Sequence, residues 1–115
     1  MDPRIRVVAK IIEEQPKDVP RTLEMASRSL GLSQAYLHRL FKQNVGMSMA
    51  EYVQRARMNL AATLLRECNR PIKLIAFDCG YTEVSNFYRD FKKVHGLTPR
   101  ELRIDQVLMD AQSRE

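Results

Sequence analysis

A chain of 115 residues, 44% apolar and 29% charged, has room for one domain or two very small units, and can bury only a modest core. No stretch approaches the ~20 apolar residues of a membrane helix and the first residues lack the apolar centre of a signal peptide, so we expect a cytoplasmic protein with no membrane partner. Nineteen basic against fourteen acidic side chains give a net charge of +5, which favours an acidic partner such as nucleic acid.

The cysteines and histidines have no spacing typical of a metal site. Cys68 and Cys79 form neither a Cys-x-x-Cys pair nor a Cys/His cluster, so we expect apolar packing rather than zinc binding or a disulfide framework. His38 belongs to no triad, and His95 is expected at a helix end. Since no phosphate loop or nucleophile-base pair is present, the sequence predicts no enzyme, no cofactor and no metal.

Helical patterns fill the first third of the chain. Asp2-Pro3 is typical of an N-cap followed by proline at the first helical position, and this helix is expected to end at Gln15. After a break over residues 16–20, Thr22 is the predicted cap of a second helix. That helix is expected to end at Gly31 with a positive φ.

Two further helices follow. The third covers Gln34–Val45 and stops at Gly46, and the fourth follows a predicted capping box between Ser48 and Glu51. It runs over Met49–Cys68 without glycine or proline, a length of roughly 30 Å. The apolar stripe of the third helix is predicted to consist of Leu37, Leu40 and Phe41, which would bury Phe41 rather than expose it for base stacking. Methionines are expected to serve as packing material.

The remaining helices are shorter. Pro71 restarts the chain in a short helix that ends at Gly80. Thr82 is the predicted cap of the next helix, with Glu83 as the alternative, and Gly96 closes that helix. A last helix is expected over Pro99–Val107, since Thr98 and Glu101 form a second predicted capping box. The core face of the helix before Gly96 is predicted to be Val84, Phe87, Phe91 and Val94.

The chain repeats itself at an offset of about 50 residues. The matching segments are Gly31-Leu-Ser with Gly80-Tyr-Thr, Leu37-x-Arg39-x-Phe41-Lys42 with Phe87-x-Arg89-x-Phe91-Lys92, and Gly46-Met-Ser with Gly96-Leu-Thr. Each copy reads as a helix, a tight turn and a second helix with basic residues on its outer face. Because major-groove faces on one side of B-DNA recur every ~34 Å, a monomer with two such units fits two adjacent grooves of an asymmetric site.

The sequence therefore predicts an all-α fold of about seven helices, with two homeodomain-like helix-turn-helix subdomains joined by a long central helix. The expected boundaries are 1–48 for the first subdomain, 49–68 for the connecting helix and 69–109 for the second subdomain. A frayed polar tail is expected over 110–115.

The second copy carries a pattern that resembles a known family. Ile75-Ala76 with Gly80-Tyr81, Phe87-x-Arg89-x-Phe91-Lys92-Lys93, Gly96 and Thr98-Pro99, closed by Arg103, are similar to the DNA-binding domain of AraC/XylS-type transcription regulators. The resemblance covers about Ile5 to Arg103. It implies seven helices in two helix-turn-helix subdomains, with recognition helices at about 34–45 and 83–95. The chain departs from the family pattern at Glu83, Asn86 and Leu102.

The resemblance also implies which side chains meet DNA. Transferred by position, the candidate base contacts are Gln34, Ala35, His38 and Arg39 in the first recognition helix and Val84, Ser85, Asn86 and Arg89 in the second. Helical geometry adds Tyr88. A guanidinium can bond guanine O6 and N7 together, which suits Arg39 and Arg89 to direct readout. Lys42, Lys92 and Lys93 are the expected phosphate contacts, which position the protein without specifying sequence.

The function expected from these residues is a sequence-specific, double-stranded DNA-binding transcription regulator that acts as a monomer. The alternative is a helical adaptor that binds a protein partner such as RNA polymerase and uses its charge only for solubility. Family members often carry a separate effector-binding or dimerisation domain. We therefore expect an excised C-terminal domain rather than a complete stand-alone regulator.

Overall fold

Seven α-helices and one short 3-10 helix, Pro16–Asp18, follow one another through residues 1–113, the part of the chain described by the computed structural model. The helices are α1 Pro3–Glu14, α2 Val19–Leu30, α3 Gln34–Val45, α4 Met49–Glu67, α5 Ile72–Asp78, α6 Val84–His95 and α7 Pro99–Ser113. No strand occurs within these residues. The predicted all-α fold with seven helices is confirmed.

The chain forms two compact units, each with its own apolar core. The first comprises Met1–Ala56 and the second begins at Arg57, so the division falls inside α4. Side chains of α1, α2, α3 and the start of α4 build the first core, which consists of Ile5, Val8, Ile12, Val19, Leu37, Phe41 and Met49. The second core consists of Met58, Ala61, Ala62, Leu65, Ile75, Ala76, Cys79, Phe87 and Phe91.

The internal repeat is visible in the burial of the side chains. Residues 41–50 and residues 91–100 show the same order of buried, half-buried and exposed positions. Phe41 and Phe91, which correspond in the two copies, are both 0% exposed. The aromatic residues predicted as core are therefore confirmed as core, and the outward side of each helix is left to polar side chains.

Two predicted helix caps are wrong. Helix α2 begins at Val19, because Pro20 fits the first turn of a helix, where its missing N–H breaks no hydrogen bond. Thr22 lies inside that turn, and its hydroxyl donates to the Asp18 carbonyl oxygen at 2.9 Å. The N-cap of α6 is Glu83 rather than Thr82, and it makes no side-chain capping bond.

Other predicted helix ends are confirmed. The Asp2 carboxylate accepts from the Arg4 backbone N–H at 2.8 Å, as an N-cap does. At the start of α7 the Glu101 N–H donates to the Thr98 hydroxyl at 3.1 Å, and the Thr98 N–H donates to the Glu101 carboxylate at 3.4 Å. This is the reciprocal pattern of a capping box. Gly31 has the predicted positive φ, at 67°.

The last helix is longer than predicted. Helix α7 continues through Val107 to Ser113, because no glycine or proline stops it. Residues 114 and 115 of the predicted tail lie outside the described residues. The expectation that methionines pack inside holds for Met49 and Met58, which are buried, but is wrong for Met1, Met25 and Met109, which are 65%, 60% and 61% exposed.

Candidate nucleic-acid interface

The outer face of α3 carries all five polar or small residues predicted to meet DNA from the first unit. The helix begins at a Ser33 cap, whose hydroxyl accepts from the Tyr36 backbone N–H at 3.1 Å. Leu37 and Phe41 turn inward and are buried. The five predicted contacts are all exposed: Gln34, Ala35, His38, Arg39 and Lys42. At roughly 100° per residue they share an arc of about 140°, with Arg39 directly opposite the two buried residues and Gln34 beside Phe41.

Helix α6 repeats this arrangement for most of its predicted contacts. Phe87 and Phe91 are 0% exposed and face the second core. The exposed residues opposite them are Ser85, Asn86, Arg89, Lys92 and Lys93, which share an arc of roughly 120°. Arg89 lies near the middle of this arc, directly away from the two buried phenylalanines.

Val84 and Tyr88 are placed differently from the other predicted base contacts. Both are half-buried and pack against the core of the second unit. The Tyr88 ring meets Phe87 edge-on with 6.2 Å between centroids. On the helix they fall beside the exposed arc rather than within it, so only part of each side chain faces outward.

Both outer faces are basic. Helix α3 contains Arg39 and Lys42 with no acid, and α6 contains three basic residues with one acid, Asp90. The Arg39 guanidinium lies over the Tyr36 ring, 5.5 Å from its centroid, in a cation–π contact. The sequence interpretation did not include Tyr36, whose spacing of three residues before Arg39 is the signal for a contact on one helical face.

The only acid of α6 belongs to a polar network in the second unit. Arg89 Nε donates to Asp90 Oδ1 at 3.3 Å, and the Tyr81 hydroxyl donates to Asp90 Oδ2 at 2.7 Å. Burial, followed by the hydrogen bond to Asp90, raises the pKa of Tyr81 well above its usual value. The Arg57 guanidinium lies 5.9 Å from the centroid of the Tyr81 ring. Sequence reasoning missed this network, because its members are brought together by the fold.

Next to α3, the first unit has an open hollow of about 610 Å³, lined by His38, Arg39, Lys42, Gln43, Ser48, Met49 and Ala50. It brings two basic side chains of α3 beside the first turn of α4, where Ser48 Oγ accepts from the Glu51 N–H at 3.2 Å. Backbone N–H groups in a first helical turn lack helical partners and carry partial positive charge. The start of α4 thus adds partial positive charge beside Arg39 and Lys42.

Two residues near the C-terminal end of the pattern have structural roles. His95 is the last residue of α6, as predicted, and its Nε2 lies 2.9 Å from the Met58 carbonyl oxygen. Arg103 donates from Nη2 to the Cys68 carbonyl oxygen at 3.2 Å. This bond satisfies a carbonyl at the end of α4, a group that has no partner within the helix.

Within residues 1–113, no group of His, Cys, Asp or Glu side chains could hold a metal ion. No helix of the same region is long and apolar enough to cross a membrane.

Comparison with known proteins places this arrangement in a family. A family model described as a helix-turn-helix domain matches residues 26–104, which include both α3 and α6. Regulatory protein SoxS of Salmonella typhimurium (strain LT2) is 32% identical over 100 residues, covering 85% of this chain and 94% of SoxS. The chain belongs to the AraC-type helix-turn-helix family.

Solved structures of AraC-type and related domains have the same fold. The C-terminal domain of AraT, a response regulator from Geobacillus stearothermophilus, is 33% identical with a TM-score of 0.80, over 90% of this chain and 86% of that one. A transcriptional regulator of the AraC-type DNA-binding class from Chromobacterium violaceum is 27% identical with a TM-score of 0.78, over 90% and 92%. The chain is thus an AraC-family DNA-binding domain of a transcription regulator.

Proposed function

We propose that this AraC-type domain binds double-stranded DNA sequence-specifically as a monomer, with α3 and α6 in adjacent major grooves of an asymmetric site. The observation that carries the proposal is the equivalent placement of Arg39 and Arg89. Each lies on the outward side of its helix, opposite two buried apolar residues of its own unit. Two similar faces that differ in their outward residues would read two different half-sites.

The proposal places two half-sites about one helical turn apart, because successive major grooves on one side of a duplex recur every ~34 Å. Because one chain would cover both, the site needs no palindrome.

The proposed roles follow the chemistry of the side chains. Arg39 and Arg89 would each read a guanine through two parallel hydrogen bonds, and the methyl group of Ala35 would contact a thymine methyl. The remaining proposed base contacts are Gln34, His38, Ser85 and Asn86, with Val84 and Tyr88 contributing through their exposed parts. Lys42, Lys92 and Lys93 would hold phosphates, Lys42 beside the first turn of α4.

Affinity measurements on single variants test these roles. On a duplex chosen by selection from random sequences, Arg89→Ala should cost about 1–3 kcal/mol and relax the preference at one or two base pairs. Lys92→Ala should instead weaken binding to all duplexes alike. It should also reduce the slope of log affinity against log salt concentration by about one. Lys10→Ala, an exposed lysine of α1, is the matched control and should change neither quantity.

A helical adaptor that binds a protein such as RNA polymerase remains the second candidate. Its support is the exposure of two large apolar residues on α5, Leu74 at 45% and Phe77 at 56%. DNA binding that is undetectable or indifferent to salt, beside a tight complex with a protein, would favour the adaptor. For either role we propose the cytoplasm as the place of action and propose no catalysed reaction, since the relatives are regulators.

A further inference from the structure

We infer that Asp90 is a positioning residue for DNA recognition: it holds the Arg89 side chain at Nε and leaves both Nη groups for a base. The inference rests on the proposed function. Arg89 Nε lies 3.3 Å from Asp90 Oδ1, and the two side chains are 70% and 16% exposed. The outward arginine is thus attached to a neighbour that the fold keeps mostly covered.

The carboxylate can serve as a support because it is itself fixed. Its second oxygen accepts from the Tyr81 hydroxyl at 2.7 Å. The Tyr81 ring packs edge-on against the fully buried Phe87, with 5.5 Å between centroids. Arg57 covers the same ring at 5.9 Å from its centroid. A chain of contacts therefore runs from the second core to the outward face of α6.

The direction of the contact suits base recognition. A guanidinium that recognises guanine presents two N–H groups in parallel, and the Nε–H is the donor not needed when both Nη groups are used. An unsupported arginine side chain loses rotamer entropy on being ordered. Ordering Arg89 before binding removes part of that cost from the binding step.

The direction in which DNA affinity changes when Asp90 is removed distinguishes a positioning role from simple charge repulsion. An acid on a DNA-facing helix repels phosphates, so removing it without any other effect should strengthen binding to every duplex. If Asp90 orients Arg89, its removal should instead weaken binding to the selected duplex and reduce discrimination at the base pair read by Arg89. The two readings predict opposite changes in affinity.

The first unit offers an internal contrast. The position equivalent to Asp90 is Leu40, and α3 contains no acid. Arg39 instead lies over the Tyr36 ring. A positioning effect of Asp90 should therefore be confined to base pairs whose preference depends on Arg89, and should leave those that depend on Arg39 unchanged.

The first measurement uses the protein without DNA. In a ¹⁵N-labelled sample, the heteronuclear NOE of the Arg89 Nε–H should exceed that of Arg100, an exposed arginine of α7, and should fall to the Arg100 level in Asp90→Ala. Tyr81→Phe, which removes only the hydroxyl that holds the carboxylate, should lower it part of the way. An Arg89 signal in the unaltered protein as mobile as that of Arg100 overturns the inference.

The second measurement uses the selected duplex and single-base variants of it, titrated by fluorescence anisotropy. We expect Asp90→Ala to weaken binding to the selected duplex about threefold to tenfold, and to have no further effect when Arg89→Ala is already present. Asp105→Ala, an exposed acid of α7, is the charge-matched control and should not weaken binding. Tyr81→Phe should act in the same direction as Asp90→Ala with a smaller factor.

The outcomes distinguish the inference from the function on which it rests. Unchanged discrimination in both Asp90→Ala and Tyr81→Phe, with equal or tighter binding, refutes the positioning role alone. Failure of the unaltered protein to prefer any duplex refutes the proposed function, and the recognition role of Asp90 with it. Thermal melting of each variant shows whether a change in binding comes from a loss of folded protein. Tyr81→Phe is the variant expected to disturb the core least.

Discussion

Truncation of Phe91 to alanine should remove a large part of the stability of the second unit. The Phe91 side chain is 0% exposed. The centroid of its ring lies 5.9 Å from that of Phe87 and 4.5 Å from that of His95. A phenylalanine of this kind buries at least about 150 Å², which at about 25 cal/mol per Å² corresponds to about 4 kcal/mol. The neighbouring rings are held by their own helix, so the cavity closes only partly, and a loss of about 3–5 kcal/mol is expected.

Urea unfolding followed by far-ultraviolet circular dichroism measures this loss. At about 4–8 °C per kcal/mol, the melting temperature should also fall by at least about 12 °C. Phe77→Ala is the control: the same chemical change at a position 56% exposed should cost less than about 1 kcal/mol. Equal losses in the two variants, or a loss below about 1 kcal/mol for Phe91→Ala, would refute the assignment of the core face of α6.

Two further changes probe local geometry. Gly80 and Gly96 have φ of 98° and 80°, so alanine should cost about 1–2 kcal/mol at either. Only at Gly80 would the new Cβ meet the Arg57 guanidinium, at 3.1 Å, and we expect about 0.5–1 kcal/mol more there from disturbed stacking on Tyr81. Equal losses in urea unfolding would contradict this reasoning. Burial raises the pKa of Cys79 to about 12, so this thiol stays protonated at pH 8. In the Cys68→Ser variant Cys79 is the remaining thiol. A thiol reagent should label Cys79 slowly in the folded variant and rapidly in urea. Rapid labelling of the native variant would show that Cys79 is open to solvent.

Much of the fold could be predicted because it depends on periodic patterns and on local chemistry. Phe41 and Phe91 sit in apolar stripes at helical spacing, and both are buried. The Thr98 capping box forms within four residues of chain, so its geometry needs no knowledge of the rest of the molecule. The repeat gave each assignment in one copy an independent check in the other.

Helix starts without a strong local signal were predicted less well. Thr22 and Thr82 are both good capping residues by type, yet α2 starts before the first and α6 starts after the second. At α2 the proline in the first turn fixes the start, and at α6 the extended backbone of Glu83 does so. These outcomes depend on how the whole turn packs, which no single residue determines.

The candidate interface could be predicted only in outline. Helical spacing alone places Ser85, Asn86 and Arg89 on the outward side of α6, and the structure agrees on their exposure. Tyr81 and Asp90 lie nine residues apart, on either side of the turn into α6. This spacing does not predict a hydrogen bond between them. Side-chain networks of this kind depend on the three-dimensional path of the chain, so they become visible only in the structure.

Selection from a pool of random duplexes tests the central claim most directly. We predict one enriched, asymmetric motif with two short blocks of base preference centred about 10–10.5 base pairs apart. Arg39→Ala should erase preference in one block and Arg89→Ala in the other. A pool without enrichment, or a palindromic motif occupied by two copies of the chain, would contradict recognition by a monomer with two different helices.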